Sequence, residues 1–211
     1  MTHTDLKERF FAQFARPSGL GGRLAGALMA RGNALVNAWA VELLDVQPTD
    51  RVLDVGCGPG VAVAHAAAKA IRGLVAGVDH SEVMIAQATR RNQAAVHAGR
   101  VELRVGSAEA LGYPDGQFTK VCAVNTAMIW PAAEDGLREL RRVLAPGGRL
   151  VVVLRERLQD GGRFDRSRIA GVPDEKIAEI AAAVEPAGFP TLDRRSERLG
   201  KERYTALVAQ R

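Results

Sequence analysis

Apolar residues in this chain come in short runs, and from residue 51 onward those runs alternate between strand-like and helix-like spacing. Arg51-Val52-Leu53-Asp54-Val55, Leu74-Val75-Ala76-Gly77-Val78, Val101-Glu102-Leu103-Arg104-Val105, Lys120-Val121-Cys122-Ala123-Val124 and Arg149 to Leu154 are strand-sized and closed by glycine or polar residues. Between the first two, Val61 to Ile71 is alanine-rich with no internal Gly or Pro, which predicts a helix ending near Gly73. Ser81 caps a second helix that runs to about Val96, with Gly99 as its stop signal. A third helix, from about Ala133 to Leu144, ends at Pro146-Gly147-Gly148. Strands separated by helices require right-handed crossovers and therefore a mostly parallel sheet.

The alternation fails at both ends. After a helix from about Pro173 to Val184, Thr191 to Leu199 and Arg203 to Ala209 are joined by a turn at Gly200-Lys201, a hairpin that sets the last strand antiparallel. Before residue 51, Leu6 to Phe14 and Leu24 to Leu44 read as helices separated by a glycine-rich hinge, Pro17 to Gly22. These readings divide the chain into an N-terminal helical cap, 1–46, and an α/β core, 47–211. The cap is either a lid over a site or a rigid helix pair on the sheet edge. The stretch from Arg155 to Gly171 is a second possible lid.

Composition changes this picture little. A chain of 211 residues suits one domain, and 47% hydrophobic with 25% charged residues is ordinary for a globular protein. No apolar run is long enough to span a membrane, and Met1 to Phe14 lacks the apolar stretch of a signal peptide, so the expected location is cytoplasmic. The net charge of +5 would suit an acidic partner. Its arginines are interleaved with acids, however, as in Arg194-Arg195-Ser196-Glu197-Arg198, which reads as a solvated strand face in preference to a nucleic-acid stripe. Cys57 and Cys122 fall in a loop and a strand, and neither a disulfide framework nor a metal site follows from them.

The chemistry concentrates where the first strand meets the first helix. Gly56-Cys57-Gly58-Pro59-Gly60 permits positive φ and close approach of a ligand to backbone N–H groups. By itself such a loop is equally a tight strand-to-helix turn. A dinucleotide fingerprint needs its third glycine at 61, where this chain has Val61. Asp54, just before the loop, disfavours a pyrophosphate and suits a ligand carrying an ammonium group. Asp79, nineteen residues after Gly60, ends the second strand. Its carboxylate can take the paired hydroxyls of a ribose, since Ser81 already supplies the cap of the next helix. After the third strand, Ser107-Ala108 can read the edge of an adenine, with Met84 and His80 over its faces. Taken singly, these are also the residues of an ordinary loop.

Taken together, Val52 to Gly60, Gly77-Val78-Asp79-His80-Ser81-Glu82-Val83-Met84 and Leu137 to Leu150 resemble the class I S-adenosylmethionine-dependent methyltransferases. The likeness is strongest to the small-molecule group related to the ubiquinone/menaquinone-biosynthesis methyltransferases, and it covers about residues 51 to 154 by motif. The resemblance implies a Rossmann-like three-layer α/β sandwich with a seven-stranded, mostly parallel sheet and the last strand antiparallel between two others. It implies that Asp54, Gly56, Cys57, Gly58 and Gly60 hold the methionyl part of S-adenosylmethionine, Asp79 the ribose and Ser107-Ala108 the adenine. Asn125-Thr126 would lie beside the amine and sulfonium. Ser107 stands where the family often has Asp, a weaker acceptor for the adenine amino group.

The acceptor is less legible. Displacement at a sulfonium methyl depends on alignment, so no catalytic base is obligatory and none is assigned. Trp130, with Met128, either lines an apolar acceptor pocket or packs in the core. His3 lies near the N-terminus, and His65 and His97 fall on helices away from the crevice. The loop Asn125-Thr126-Ala127-Met128 lacks the Asn/Asp-Pro-Pro-Tyr pattern of nucleic-acid methyltransferases of this fold, which favours a small-molecule acceptor. Three rival readings remain: a binding module that retains the cofactor without activity, an RNA or protein methyltransferase, and an NAD-dependent oxidoreductase. The last lacks Gly at 61 and a Tyr-x-x-x-Lys pair. Oligomeric state is not readable.

Overall fold

The apolar runs pair side by side. In the computed structural model, which describes Gly26, residues 30–157 and residues 171–211, five strands run parallel in the order β3-β2-β1-β4-β5. They are β1 (Arg51–Val55), β2 (Leu74–Asp79), β3 (Val101–Val105), β4 (Phe118–Val124) and β5 (Leu144–Arg155). β7 (Glu202–Gln210) lies antiparallel between β5 and β6 (Thr191–Leu199), which completes a seven-stranded sheet. The expected fold is therefore present. The expected helices Leu6 to Phe14 and the hinge Pro17 to Gly22 lie outside the described residues, as do His3 and most of the Arg155 to Gly171 stretch.

Side-chain alternation along the strands sends apolar residues to two opposite faces. One face packs α1 (Ala34–Leu44) and α2 (Val61–Lys69) onto Val52, Val75, Cys122, Val151 and Val153. The other packs α5 (Ala133–Val143) and α6 (Asp174–Ala182) onto Leu53, Val121, Leu150 and Val152. Between them in sequence come α3 (Glu82–Arg91) and α4 (Gln93–His97). None of the helices among the described residues is long and apolar enough to cross a membrane.

Several boundaries differ from those read in the sequence; the helix expected over Leu24 to Leu44, whose start lies largely outside the described residues, is interrupted at Asn33, and α1 begins at Ala34. The helix expected to run on to Val96 breaks at Asn92, whose buried amide donates to the carbonyls of Gly60 (3.1 Å) and Ala88 (2.9 Å). The asparagine, a weak helix former, is held there by one local and one long-range bond. β4 starts at Phe118, and β5 starts at Leu144 and not at Arg149: Leu144 pairs with Phe118, the register shifts, and Lys120 then pairs with Arg149. The Pro146-Gly147-Gly148 signal thus marks an irregularity inside a strand, with Gly147 at φ 75°. β6 is exposed along almost its whole length, as befits an edge strand. Symmetric pairing of two copies about Arg195 would set arginine against arginine and Asp193 against Glu197, so its charges guard the edge.

The chain moves outward from β1 to β2 and β3, then crosses back to β4. The strand order therefore reverses between β1 and β4, and ligands of open α/β sheets bind in the crevice at that reversal. Gly60 braces one wall. At φ 75° it caps α2, and a Cβ added there would lie 2.7 Å from the Asn92 amide and 2.8 Å from Ala88 Cβ. Gly60→Ala should lower stability by about 2 kcal/mol, or roughly 4–8 °C in Tm, through left-handed strain and displacement of α3. Thermal unfolding of the purified variant checks this; an unchanged Tm would contradict the close packing.

Candidate functional site

β1 carries an acid into the sheet. Asp54 follows Leu53 and precedes Val55 in the central strand, on the α2 side, and is only 3% exposed. Its register partner on β4 is Cys122, whose thiol donates to Asp54 Oδ1 across 3.6 Å. A thiol is a weak donor and compensates little of the cost of taking a carboxylate out of water. Burial pushes the Asp54 carboxyl up to about 7, with the nearby charge of Asp79 adding to the rise and the Cys122 hydrogen bond opposing it. Burial also pushes the Cys57 and Cys122 thiols well up, which keeps both neutral. A cation arriving beside Asp54 would supply the partner it lacks.

The loop leaving β1 is tied to the end of β2. Gly56 N–H and Cys57 N–H both donate to the Val78 carbonyl, at 2.8 and 3.0 Å, and Gly58 N–H donates to Asp79 Oδ2 at 2.8 Å. Gly56, Gly58 and Gly60 take φ of 72°, 50° and 75°, a run that only glycine adopts without strain. Gly56 also makes room for its neighbour, since a Cβ there would come within 2.3 Å of Thr126 Oγ1. The loops after β1 and β4 are thereby pressed together at the strand reversal.

Asp79 is 6% exposed, and each of its oxygens accepts one backbone N–H, from Gly58 and from Ser81 (2.9 Å). An ionised carboxylate has about four acceptor sites, so two remain for a ligand's hydroxyls. Ser81 caps α3 through its Oγ, which accepts from Met84 N–H at 3.4 Å. His80 is exposed, with Nδ1 3.7 Å from Asp79 Oδ1. Met84 is buried, and its methyl end abuts Gly26. β3 joins the same edge, because Gly106 N–H donates to the Asp79 carbonyl at 3.0 Å.

Past β3, Ala108 is buried and Ser107 is exposed. The Ser107 hydroxyl donates to Glu109 Oε2, while Glu109 N–H donates back to Ser107 Oγ at 3.3 Å. Glu109 was not singled out in the sequence. Its other oxygen, Oε1, is buried without a hydrogen bond among the described residues. The only signal for it was its place two residues beyond a serine where an acid was expected.

After β4, Asn125 adopts the left-handed conformation (φ 54°), which asparagine tolerates better than most residues. Its N–H donates to the Val153 carbonyl at 2.7 Å, and its Oδ1 accepts from Arg155 N–H at 2.9 Å. Its Nδ2 is buried with no partner among the described residues. Trp130 turns away into the core on the α5 side. It is 8% exposed, and its ring lies where a Cβ on Gly136 would be 2.5 Å from Cε3. Met128 packs partly buried on that same core, and Ile129 faces outward.

A further consequence of the buried acid concerns stability. The folded Asp54 titrates near 7, against roughly 4 for an exposed aspartate, so the folded protein holds an extra proton between those values. Stability from this group is complete below about pH 4 and is lost as pH rises through 7. Asp54→Asn, which cannot ionise, should stabilise the ligand-free protein relative to the parent at pH 8 by on the order of a few kcal/mol, seen as a higher Tm, with the gap narrowing toward pH 5. Paired melts across pH check this; a gap that does not vary with pH would contradict the buried charge.

The site sits within a stretch, residues 52–148, that matches a family model described as a methyltransferase domain. The uncharacterised methyltransferase YdaC of Bacillus subtilis is 31% identical over 170 residues, covering 81% of this chain and 88% of YdaC. The ubiquinone/menaquinone biosynthesis C-methyltransferase UbiE of Geotalea daltonii is 29% identical over 116 residues, and the match takes in 54% of this chain and 49% of UbiE, about half its length. Among solved structures, an S-adenosylmethionine-dependent methyltransferase from Aquifex aeolicus has the same fold, with a TM-score of 0.67 at 22% identity over 84% of this chain and 91% of its own. The sheet order, the glycine loop tied to Asp79 and the likeness to YdaC over most of both chains agree: the chain belongs to the class I S-adenosylmethionine-dependent methyltransferases.

Proposed function

We propose that this protein transfers the methyl group of S-adenosylmethionine to a small-molecule acceptor and releases S-adenosylhomocysteine. The observation that carries this reading is the juxtaposition, at the strand reversal, of a buried carboxyl without a strong partner (Asp54) and a pinned carboxylate with unused acceptor sites (Asp79). The first suits an ammonium group and the second a ribose diol. When bound, S-adenosylmethionine supplies a methyl already activated by its sulfonium.

The chain's own residues then hold and align. Asp54 and the backbone of Gly56, Cys57, Gly58 and Gly60 take the methionyl end, and Asn125 Nδ2 offers it an unused donor, with Thr126 bracing the glycine loop. Asp79 takes the ribose, flanked by His80 and Met84. Ser107 and Ala108 meet the adenine, and Glu109, joined to Ser107, supplies the acid that Ser107 itself lacks. Alignment of this kind can account for roughly 7–11 kcal/mol of a barrier, so no base needs to be assigned. UbiE, whose name gives quinone biosynthesis, supports a small-molecule acceptor. The outward-facing Ile129 and half-buried Met128 after β4 would give that acceptor an apolar contact.

S-adenosylmethionine or S-adenosylhomocysteine should raise the Tm and NAD should not; at ~100 times Kd the gain is about 2.7 kcal/mol. Asp79→Ala should remove most of that shift. Stabilisation by NAD, with none by S-adenosylmethionine, would overturn the proposal. A transfer assay with labelled methyl donor over candidate metabolites identifies the acceptor.

A further inference from the structure

Arg155 is the last residue of β5, and its side chain is only 6% exposed. A buried guanidinium needs strong partners. Its formal counter-ion, Glu202, stands 3.6 Å away, and Glu202 Oε2 makes no hydrogen bond among the described residues. Among the described residues two neutral groups join it: Tyr204 Oη accepts from Nε at 3.3 Å, and Asn33 Oδ1 accepts from Nη2 at 2.8 Å. The tightest bond of this buried cation therefore goes to a residue just ahead of α1. Among the described residues the Asn33 side chain makes no other hydrogen bond. It stands at the N-cap of α1 without a side-chain capping bond, and Asn37 uses only its backbone carbonyl.

The backbone of Arg155 reaches into the candidate site. Its N–H holds Asn125 Oδ1, which fixes the left-handed Asn125 with its unpartnered Nδ2 buried. At the opposite side of the strand reversal, Gly26 lies against the ends of Met84 and Gln87 on α3. The residue just ahead of α1 is thus fastened beyond β4, at the end of β5.

Building on the reading that the site holds S-adenosylmethionine, we propose that Asn33 and Arg155 are a positioning pair. Asn33 latches the chain ahead of α1 onto Arg155, and Arg155 in turn sets Asn125 against the methionyl end of the donor. Donor binding and latching then favour one another, since both depend on the same end of β5.

Calorimetric titration with S-adenosylhomocysteine, together with amide hydrogen exchange over residues 30–40, tests this. In the parent protein the ligand should slow exchange in that stretch. Asn33→Ala should weaken binding about tenfold and abolish the protection, because the guanidinium loses its shortest bond. Asn33→Asp, which keeps an acceptor oxygen within reach, should restore both. A parent that does not bind S-adenosylhomocysteine refutes the functional reading itself. A parent that binds, with Asn33→Ala binding and protected equally well, overturns the latch alone, and so does an Asn33→Asp variant as weak as Asn33→Ala.

Discussion

A carboxyl group in the centre of a parallel sheet is the constraint around which this molecule is arranged. Asp54 is buried in the central strand, and its one side-chain hydrogen bond among the described residues comes from the Cys122 thiol opposite. Left ionised there, it costs free energy that the thiol cannot offset; protonated, it is an ordinary polar core group. Burial brings the balance point to about 7, so the group is poised between the two states. The protein thus stores an unmet demand for positive charge at the point where its strand order reverses. A ligand with an ammonium group meets that demand, and a pyrophosphate aggravates it.

The rest of the crevice is built so that hydrogen bonds of the frame leave atoms over for a ligand. Asp79 closes the glycine loop onto β2 and caps the turn at Ser81 with one acceptor site on each oxygen. The same bonds that rigidify the loop orient the lone pairs left over. Asn125 repeats the pattern at the end of β4, with Oδ1 committed to β5 and Nδ2 unspent. Preorganisation here means that the frame leaves chosen atoms unsatisfied, which lowers the cost of ordering them when a ligand arrives.

Much of this was legible in the chain itself, because it depends on local chemistry. Apolar runs between glycines mark the strands, and the spacing of Gly56, Gly58, Gly60 and Asp79 marks the ligand class. What escaped depends on contacts between distant residues. Asn92 is a weak helix former, but its bond to the carbonyl of Gly60, thirty-two residues earlier, is visible only in the fold. Pro146-Gly147-Gly148 has the composition of a stop, yet Leu144 had already joined Phe118 in the sheet. Trp130 could face either a pocket or the core, and the absence of a side chain at Gly136 decides for the core. Glu109 and Arg155 are charged residues on unremarkable segments, and only the fold shows what each one meets.

The central claim is that Asp54 gives up its proton to receive a cationic ligand. Proton release on S-adenosylmethionine binding measures this directly, by calorimetry at pH 6 in two buffers of different ionisation enthalpy. With a carboxyl near 7 in the free protein, binding at pH 6, where the ligand's amine is already protonated, should release ~0.9 proton per site, and Asp54→Asn should release none. Binding at pH 6 with no dependence on the buffer would contradict the account.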